Sequence, residues 1–400
     1  MIPVNTASIQ NQDLLHQVLT ALQKVLKHQK LPVSLHQPVF EGREKEYVED
    51  CIKTGWVSSV GSYVDRFETQ LAQYTGVKKA IAVVNGTAAL HTALILAEIQ
   101  AGDEVLVPTL TFVATANAVV YANAIPHWVD SNSLTLGVDP EKLDRYLSKI
   151  GTMKSGQLYN RLTNRPIKAL IGVHTFGHPF AMDKTVEVCR KYKIILIEDA
   201  AESLGSFYKG KHTGNWGEIA VLSFNGNKIV TTGGGGAILT NNEALARRAK
   251  HITTTAKVPH SYFIEHDQVG YNYRLPNLNA ALGCAQLESL EKFIQAKRAL
   301  ALQYDAAFAN ILGISFFREP HEAKSNYWLN AILIDESLSH QRDFLLEATN
   351  NEGFGTRPCW TLMHKLPMFQ NFPKMDLSIA EQIEKRLINI PSSANLSLKQ

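Results

Sequence analysis

From about Thr69 to Gly283 the chain alternates short, apolar, strand-length runs with helical patterns, and this alternation restricts the possible folds more than any other feature. The runs include Ala80-Ile81-Ala82-Val83-Val84, the stretch from Glu104 to Phe112, Ile194-Ile195-Leu196-Ile197 and Ile219-Ala220-Val221-Leu222-Ser223-Phe224. Such runs suit strands buried on both faces, which calls for a mainly parallel sheet with helices above and below it. In an open α/β sheet of this kind, ligands bind outside the carboxyl ends of the strands. Upstream, Leu14, Leu15, Val18, Leu19, Leu22, Val25 and Leu26 share one helical face suited to core or interface packing. A proline-marked link near Leu31-Pro32 leads to a second amphipathic stretch before Gly55. Downstream, Leu287 to Phe308 reads as one long helix leading into a smaller α+β region. That region has a strand over Tyr327 to Ile334 and helices around Phe344 to Thr349 and Ile379 to Leu387. The expected division is a helical lead-in over 1–68, a large domain over 69–285 and a small C-terminal domain over 286–400.

Lys228 follows Ser223-Phe224-Asn225-Gly226-Asn227 and precedes Ile-Val-Thr-Thr and four glycines, Gly233 to Gly236. No stable element continues through that glycine run, so Lys228 falls on a connection beside the sheet. Asp199 ends another apolar run, at the edge where a ligand is expected. An amine and a carboxylate facing one bound molecule suit pyridoxal phosphate. The lysine forms a Schiff base with its aldehyde, and an acid keeps its ring nitrogen protonated. The third requirement is a phosphate seat. Asn85-Gly86-Thr87-Ala88-Ala89-Leu90 begins a helical pattern just after a strand-like run, so Gly86 and Thr87 stand at a helix N-terminus with free N–H groups, and Ser223 supplies a hydroxyl.

Asn85-Gly86-Thr87-Ala88-Ala89-Leu90, Glu198-Asp199-Ala200-Ala201, Ser223-Phe224 with Lys228, and Gly270-Tyr271-Asn272-Tyr273-Arg274 together resemble the DegT-type sugar-nucleotide aminotransferases. The resemblance runs from about Leu35 to Ser393. It implies the pyridoxal-phosphate-dependent transferase fold type I, aspartate-aminotransferase-like: α/β, with a mainly parallel sheet in a large domain and a smaller α+β domain. It further implies Lys228 as the covalent anchor and proton-transfer base, and Asp199 as partner of the pyridine nitrogen. Thr87, Ala88 and Ser223 would hold the phosphate, Phe112 would stack on the cofactor, and Asn272 would reach the phosphate of a neighbouring subunit, hence a homodimer with shared sites. Arg274 and Arg357 are candidates for holding the anionic substrate. Trp56 to Gly61 and Arg357-Pro358-Cys359-Trp360 are candidate selectors. Glu202 stands near the cofactor ring where many members carry histidine or glutamine, and Gly233-Gly234-Gly235-Gly236 replaces the more usual Gly-Glu-Gly-Gly. Trp56 to Gly61, Ala200 to Tyr208 and Thr253 to His260 are similar to the legionaminic-acid branch. That branch aminates C4 of a UDP-linked 4-keto-6-deoxy acetamido sugar, with glutamate as the expected donor. Two other readings stay open. Dehydratase relatives carry histidine in place of the lysine, and a ligand-binding regulator would not need Lys228, Asp199 and Ser223 together.

Other function classes find little support. Forty basic and 37 acidic residues, a formal net charge of +3, create no global field for nucleic acid or a membrane surface. Cys51, Cys189, Cys284 and Cys359 form no CxxC pair, and free thiols in a reducing cytoplasm are expected. The N-terminus lacks the pattern of a secretion signal, and no apolar run approaches the roughly 18 residues of a membrane span. His174 and His178 have the i, i+4 spacing of a helical zinc pair, but Gly177 and Pro179 break the helix that such a pair requires, so no metal is expected. P-loop, dinucleotide and GxSxG motifs do not occur.

Overall fold

The computed structural model describes residues 6–398. Seven strands form the main sheet: β1 Lys79–Val83, β2 Glu104–Pro108, β3 Ile125–Val129, β4 Ile167–Val173, β5 Ile195–Asp199, β6 Ile219–Ser223 and β7 Gly236–Thr240. Their order is β1-β7-β6-β5-β4-β2-β3. Every pair is parallel except those made by β7, which runs antiparallel to both of its neighbours. Side chains alternate between two cores, as a strand's two-residue period demands. Ile81, Val83, Ile219, Val221 and Ile238 enter one core with the helices Gly86–Leu96 and Glu243–Thr253. Ala80, Ala82, Ala220, Leu222, Ala237 and Leu239 enter the other, with Phe67 and Leu71 of the helix Ser62–Thr75 and Ala281 and Ala285 of Asn277–Glu288. Both faces are therefore covered, and the apolar runs of the sequence have their explanation.

The chain reversal at β7 is what builds the carboxyl edge. Val83 at the end of β1 and Ser223 at the end of β6 both pair with Gly236 at the start of β7. In the neighbouring pairing, Val221 stands beside Asp199. A parallel strand order thus delivers Ser223 and Asp199 to one edge, and β7 brings the glycine run back to the same place.

The small sheet contains β8 Ile314–Phe316, β9 Asn330–Ile334, β10 Arg357–Pro358 and β11 Leu387–Ile390, in the antiparallel order β8-β9-β11-β10. The lead-in is divided between two cores. Leu14, Val18 and Leu22 of the helix Thr6–Val25 pack with Leu300, Tyr304, Phe308 and Ile332, whereas Tyr47, Cys51, Val64 and Phe67 join the large-domain core. The long helix expected over Leu287 to Phe308 is found, starting at Leu290; Leu287 and Glu288 instead end the preceding helix, Asn277–Glu288, and the two helices meet at Ser289. Ser289 keeps right-handed helical dihedrals (φ −98°, ψ −3°), so the apolar periodicity runs through the break unmarked. The redirection sends Leu290, Phe293 and Ile294 into the large-domain core and leaves Leu300 and Tyr304 for the N-terminal helix. Among the described residues no helix is long and apolar enough to cross a membrane.

Lys297 of Leu290–Phe308 is fully buried and donates hydrogen bonds to the carbonyls of Trp328 and Ser392. Burial pushes its ammonium pKa down to about 7, against roughly 10.4 in an unfolded chain. Between those values the unfolded chain binds more protons, so this group makes stability rise with pH; below pH 7 both states are charged and the penalty is complete. Lys297→Met removes that dependence. Denaturant unfolding of wild type and variant between pH 6 and 10 is expected to show wild type gaining on the order of 4 kcal/mol relative to the variant. Parallel pH curves would contradict this account.

Candidate active site

A cavity of about 300 Å³ opens at the carboxyl edge of the main sheet. At one end lies the start of the helix Gly86–Leu96, where Asn85 Oδ1 accepts the Ala88 amide at 2.8 Å. The amides of Gly86 and Thr87 precede the first helical acceptors and face outward along the positive end of the dipole, a ready seat for phosphate. Ser223 is pressed against this seat: a Cβ on Gly86 would lie 3.0 Å from Ser223 Cβ. The glycine run closes in from the other side, and a Cβ on Gly236 would lie 2.5 Å from the backbone carbon of Asn85. No other residue type fits there.

Asp199 is buried in the same cavity. Thr115 donates its hydroxyl to Asp199 Oδ2 at 2.8 Å, and the Ala201 amide reaches Oδ1 at 3.2 Å. Burial nevertheless raises its pKa, with the Thr115 and Ala201 bonds and the charge of Lys228 opposing the rise. A carboxylate kept dry in this way gains by meeting a cationic N–H. Lys228 Nζ lies 3.2 Å from Glu202 Oε1 and 3.9 Å from the centre of the Trp328 ring, and both the lysine and glutamate side chains are largely buried. The Trp328 indole N–H donates to the Asn227 carbonyl at 2.8 Å, which fixes the ring over the lysine loop.

Gly86, Thr87, Phe112, Asp199, Glu202, Ser223 and Lys228 therefore line one cavity. Ala88 is buried and does not line it, and its amide donates to Asn85 Oδ1. Phe112 caps the helix Val113–Tyr121 and is 52% exposed, with its ring 6.1 Å from that of Trp360, so it is a residue of the rim and not of the core. Asn272 and Arg274 do not line the cavity within one chain; they pair with Thr254 and Val83. Arg357 donates to Asn350 Oδ1 and to the Thr356 carbonyl, and it lines a neighbouring cavity of about 450 Å³ that shares Asn227, Trp328 and Trp360 with the first. The loop Trp56 to Gly61 is pinned by Asn277, whose backbone and side-chain N–H groups reach Ser58 O and Trp56 O; it does not line the cavity. His174 pairs with Glu198 at 3.1 Å, and His178 lies edge-on to Phe317 and Tyr327, with burial holding its pKa down at about 3. Among the described residues no cluster of three or more His, Cys, Asp or Glu could hold a metal ion. Sequence reading missed Thr115 and Trp328. Neither belongs to a spaced motif, and Trp328 comes from the small domain, 100 residues beyond Lys228 in the chain.

The groups present fit pyridoxal phosphate: an amine for the aldehyde, a buried acid for the ring nitrogen, and a helix N-terminus with a serine for the phosphate. On this sheet topology, they define a pyridoxal-phosphate-dependent transferase of fold type I. Comparison with known proteins agrees. Residues 38–400 match the DegT/DnrJ/EryC1/StrS aminotransferase family. The Bacillus subtilis (strain 168) protein named "Putative pyridoxal phosphate-dependent aminotransferase EpsN" is 37% identical over 92% of this chain and 92% of its own. GDP-perosamine synthase of Escherichia coli O157:H7 is 37% identical over 92% of this chain and 95% of its own. Helicobacter pylori PseC, an aminotransferase involved in the biosynthesis of pseudoaminic acid, shares the fold with a TM-score of 0.83 at 24% identity, covering 92% of this chain and 96% of that one. The chain belongs to the DegT/DnrJ/EryC1/StrS aminotransferase family, and its cofactor is pyridoxal 5'-phosphate.

Thr115→Val deletes the hydroxyl bound to Asp199 and keeps the side chain's shape. A hydrogen bond to a charged group is worth roughly 1.5–3 kcal/mol, so titration of apo-protein with pyridoxal phosphate, followed by absorbance, should show affinity lowered about tenfold or more. Unchanged affinity would remove Thr115 from the site.

Proposed function

We propose that the enzyme transfers an amino group from glutamate to C4 of a UDP-linked 4-keto-6-deoxy acetamido sugar, in nonulosonic (legionaminic) acid or surface polysaccharide biosynthesis. The observation that carries the transamination is that an enclosed amine, Lys228, and the buried acid Asp199 line the same cavity, which ends at a helix N-terminus. The nucleotide-sugar class is supported by family membership and by relatives named for amino-sugar synthesis. The UDP-linked 4-keto sugar is supported by the similarity of Trp56 to Gly61, Ala200 to Tyr208 and Thr253 to His260 to one branch of the family. A GDP-linked sugar is the competing reading, favoured by the two 37%-identical relatives named GDP-perosamine synthase.

Bound pyridoxal phosphate supplies an aldehyde for amine exchange and an electron-withdrawing ring. The chain's residues supply the rest. Gly86, Thr87 and Ser223 anchor the phosphate, and Asp199, oriented by Thr115, keeps the ring nitrogen protonated. Lys228, once released, takes the proton from the donor's α carbon and in the second half-reaction delivers one to sugar C4. Positioned proton transfer of this type contributes ~10² to 10⁴ in rate. Trp328, Trp360 and Phe112 wall the site and limit the entry of water. Asn272, which does not line the cavity of its own chain, serves the phosphate of a second copy, giving a homodimer with shared sites. The reading sets the enzyme in the cytoplasm, which its four unpaired, buried cysteines fit.

The test is incubation of the holoenzyme with glutamate and a panel of UDP- and GDP-linked keto sugars, with the new amine located by NMR. A 4-amino UDP sugar is expected, and Lys228→Ala should abolish both turnover and the absorbance of the covalently held cofactor. Amine at C3, or a clear preference for GDP, would overturn the substrate assignment; near-normal turnover by the variant would overturn the role of Lys228.

A further inference from the structure

Glu202 occupies a position where many family members are expected to carry histidine or glutamine, and its partners set it apart from the other acid in the cavity. Asp199 has hydrogen-bond donors on both oxygens, from Thr115 and Ala201, and these stabilise its anion. Glu202 Oε2 accepts one bond, from the Phe176 amide at 2.8 Å, while Oε1 has Lys228 Nζ as its hydrogen-bond partner at 3.2 Å. The lysine and glutamate side chains are only 13% and 6% exposed, and no arginine is among the residues lining the cavity. So dry a pair loses much of the solvation that favours ammonium and carboxylate over amine and carboxylic acid.

We infer that Lys228 and Glu202 hold a single proton between them, which passes from the lysine nitrogen to Glu202 Oε1 whenever Lys228 is free, so that the amine meets a carbonyl as a neutral nucleophile. The N–H bond breaks, its electron pair stays on Nζ, and an O–H bond forms on Glu202; a charged pair becomes a neutral one, and no proton need leave for solvent. Two features balance the exchange. Burial raises the Glu202 pKa, and the charge of Asp199 adds to the rise, while Lys228 and the Phe176 amide oppose it. The Trp328 face, 3.9 Å from Nζ, favours the cation and keeps the proton from being trapped on the acid. The other ionisable groups acting on the site are Asp199 itself, His174 through Asp199, and His36 beside Trp328, the last held neutral by burial with Lys297 and Lys228 adding to the effect.

This inference rests on Lys228 being the amine that bonds the cofactor, and the test separates the two claims. Apo-protein is mixed with pyridoxal phosphate, and the rate of covalent capture is followed by absorbance as a function of pH. A pair sharing one proton does not change its protonation over the middle range, so the wild-type rate, corrected for the titration of free pyridoxal phosphate, should vary by less than about threefold between about pH 6.5 and 8.5. In Glu202→Gln the acid that would take the proton is gone, and capture should climb with pH by well over threefold across the same range. Glu202→Asp, which keeps a carboxyl group, should stay flat at a lower rate. A steep wild-type profile, or wild-type and Glu202→Gln profiles that run parallel, would overturn the shared proton, and a parallel loss would mark Glu202 as merely structural. Capture that persists in Lys228→Ala would instead refute the lysine assignment.

Discussion

The active site depends on one close approach of main chain to main chain. Gly236 begins β7 against the turn at Asn85 and Gly86, with no room for a Cβ. Because β7 pairs with both β1 and β6, that contact fixes the distance between the helix N-terminus carried by β1 and the serine that ends β6. A side chain at Gly236 would collide with the backbone of Asn85 and Gly86 at the helix start. The four-glycine run is thus a packing requirement at its end as well as a loop.

Electrostatic differentiation within the sheet follows from the alternation of a strand. Glu198 and Asp199 are consecutive at the end of β5, so their side chains leave opposite faces. Glu198 meets His174 and the amides of Gly214, Trp216 and Gly217; burial works against its charge, but these partners hold its carboxyl below the ordinary range. Asp199, on the cavity side, has fewer donors, and burial prevails. One acid ties down the following loop, and its neighbour is left wanting a cationic partner.

The small domain completes the site through one short segment. Asn326 donates to the carbonyls of Glu202 and Leu204 and accepts the Trp328 amide, while Ser206 Oγ accepts the Asn326 amide. Trp328 is placed over Lys228 by the same segment that holds the Glu202 carbonyl, so one segment positions both the acid and the aromatic wall against the amine. Lys297, buried beneath, holds the Trp328 carbonyl from the helix that also docks the N-terminal helix.

Local pattern was enough to reveal the buried strands, the helix start at Gly86 and the position of Lys228 and Asp199 at the carboxyl edge of the sheet, because strand burial, helix capping and chain reversal are written in neighbouring residues. The division of the lead-in between two cores and the break at Ser289 were not legible, since apolar periodicity marks a face without naming what covers it. The bond from the Ala88 amide to Asn85 Oδ1 is a helix cap that the residue types alone do not distinguish from a free amide. Thr115, Trp328 and the pairing of Glu202 with Lys228 arise only when distant segments converge. Sequence alone determined which groups this protein can use for chemistry; tertiary structure decided which of them share one dry cavity, because hydrogen-bond reach and desolvation depend on distance in space and not along the chain.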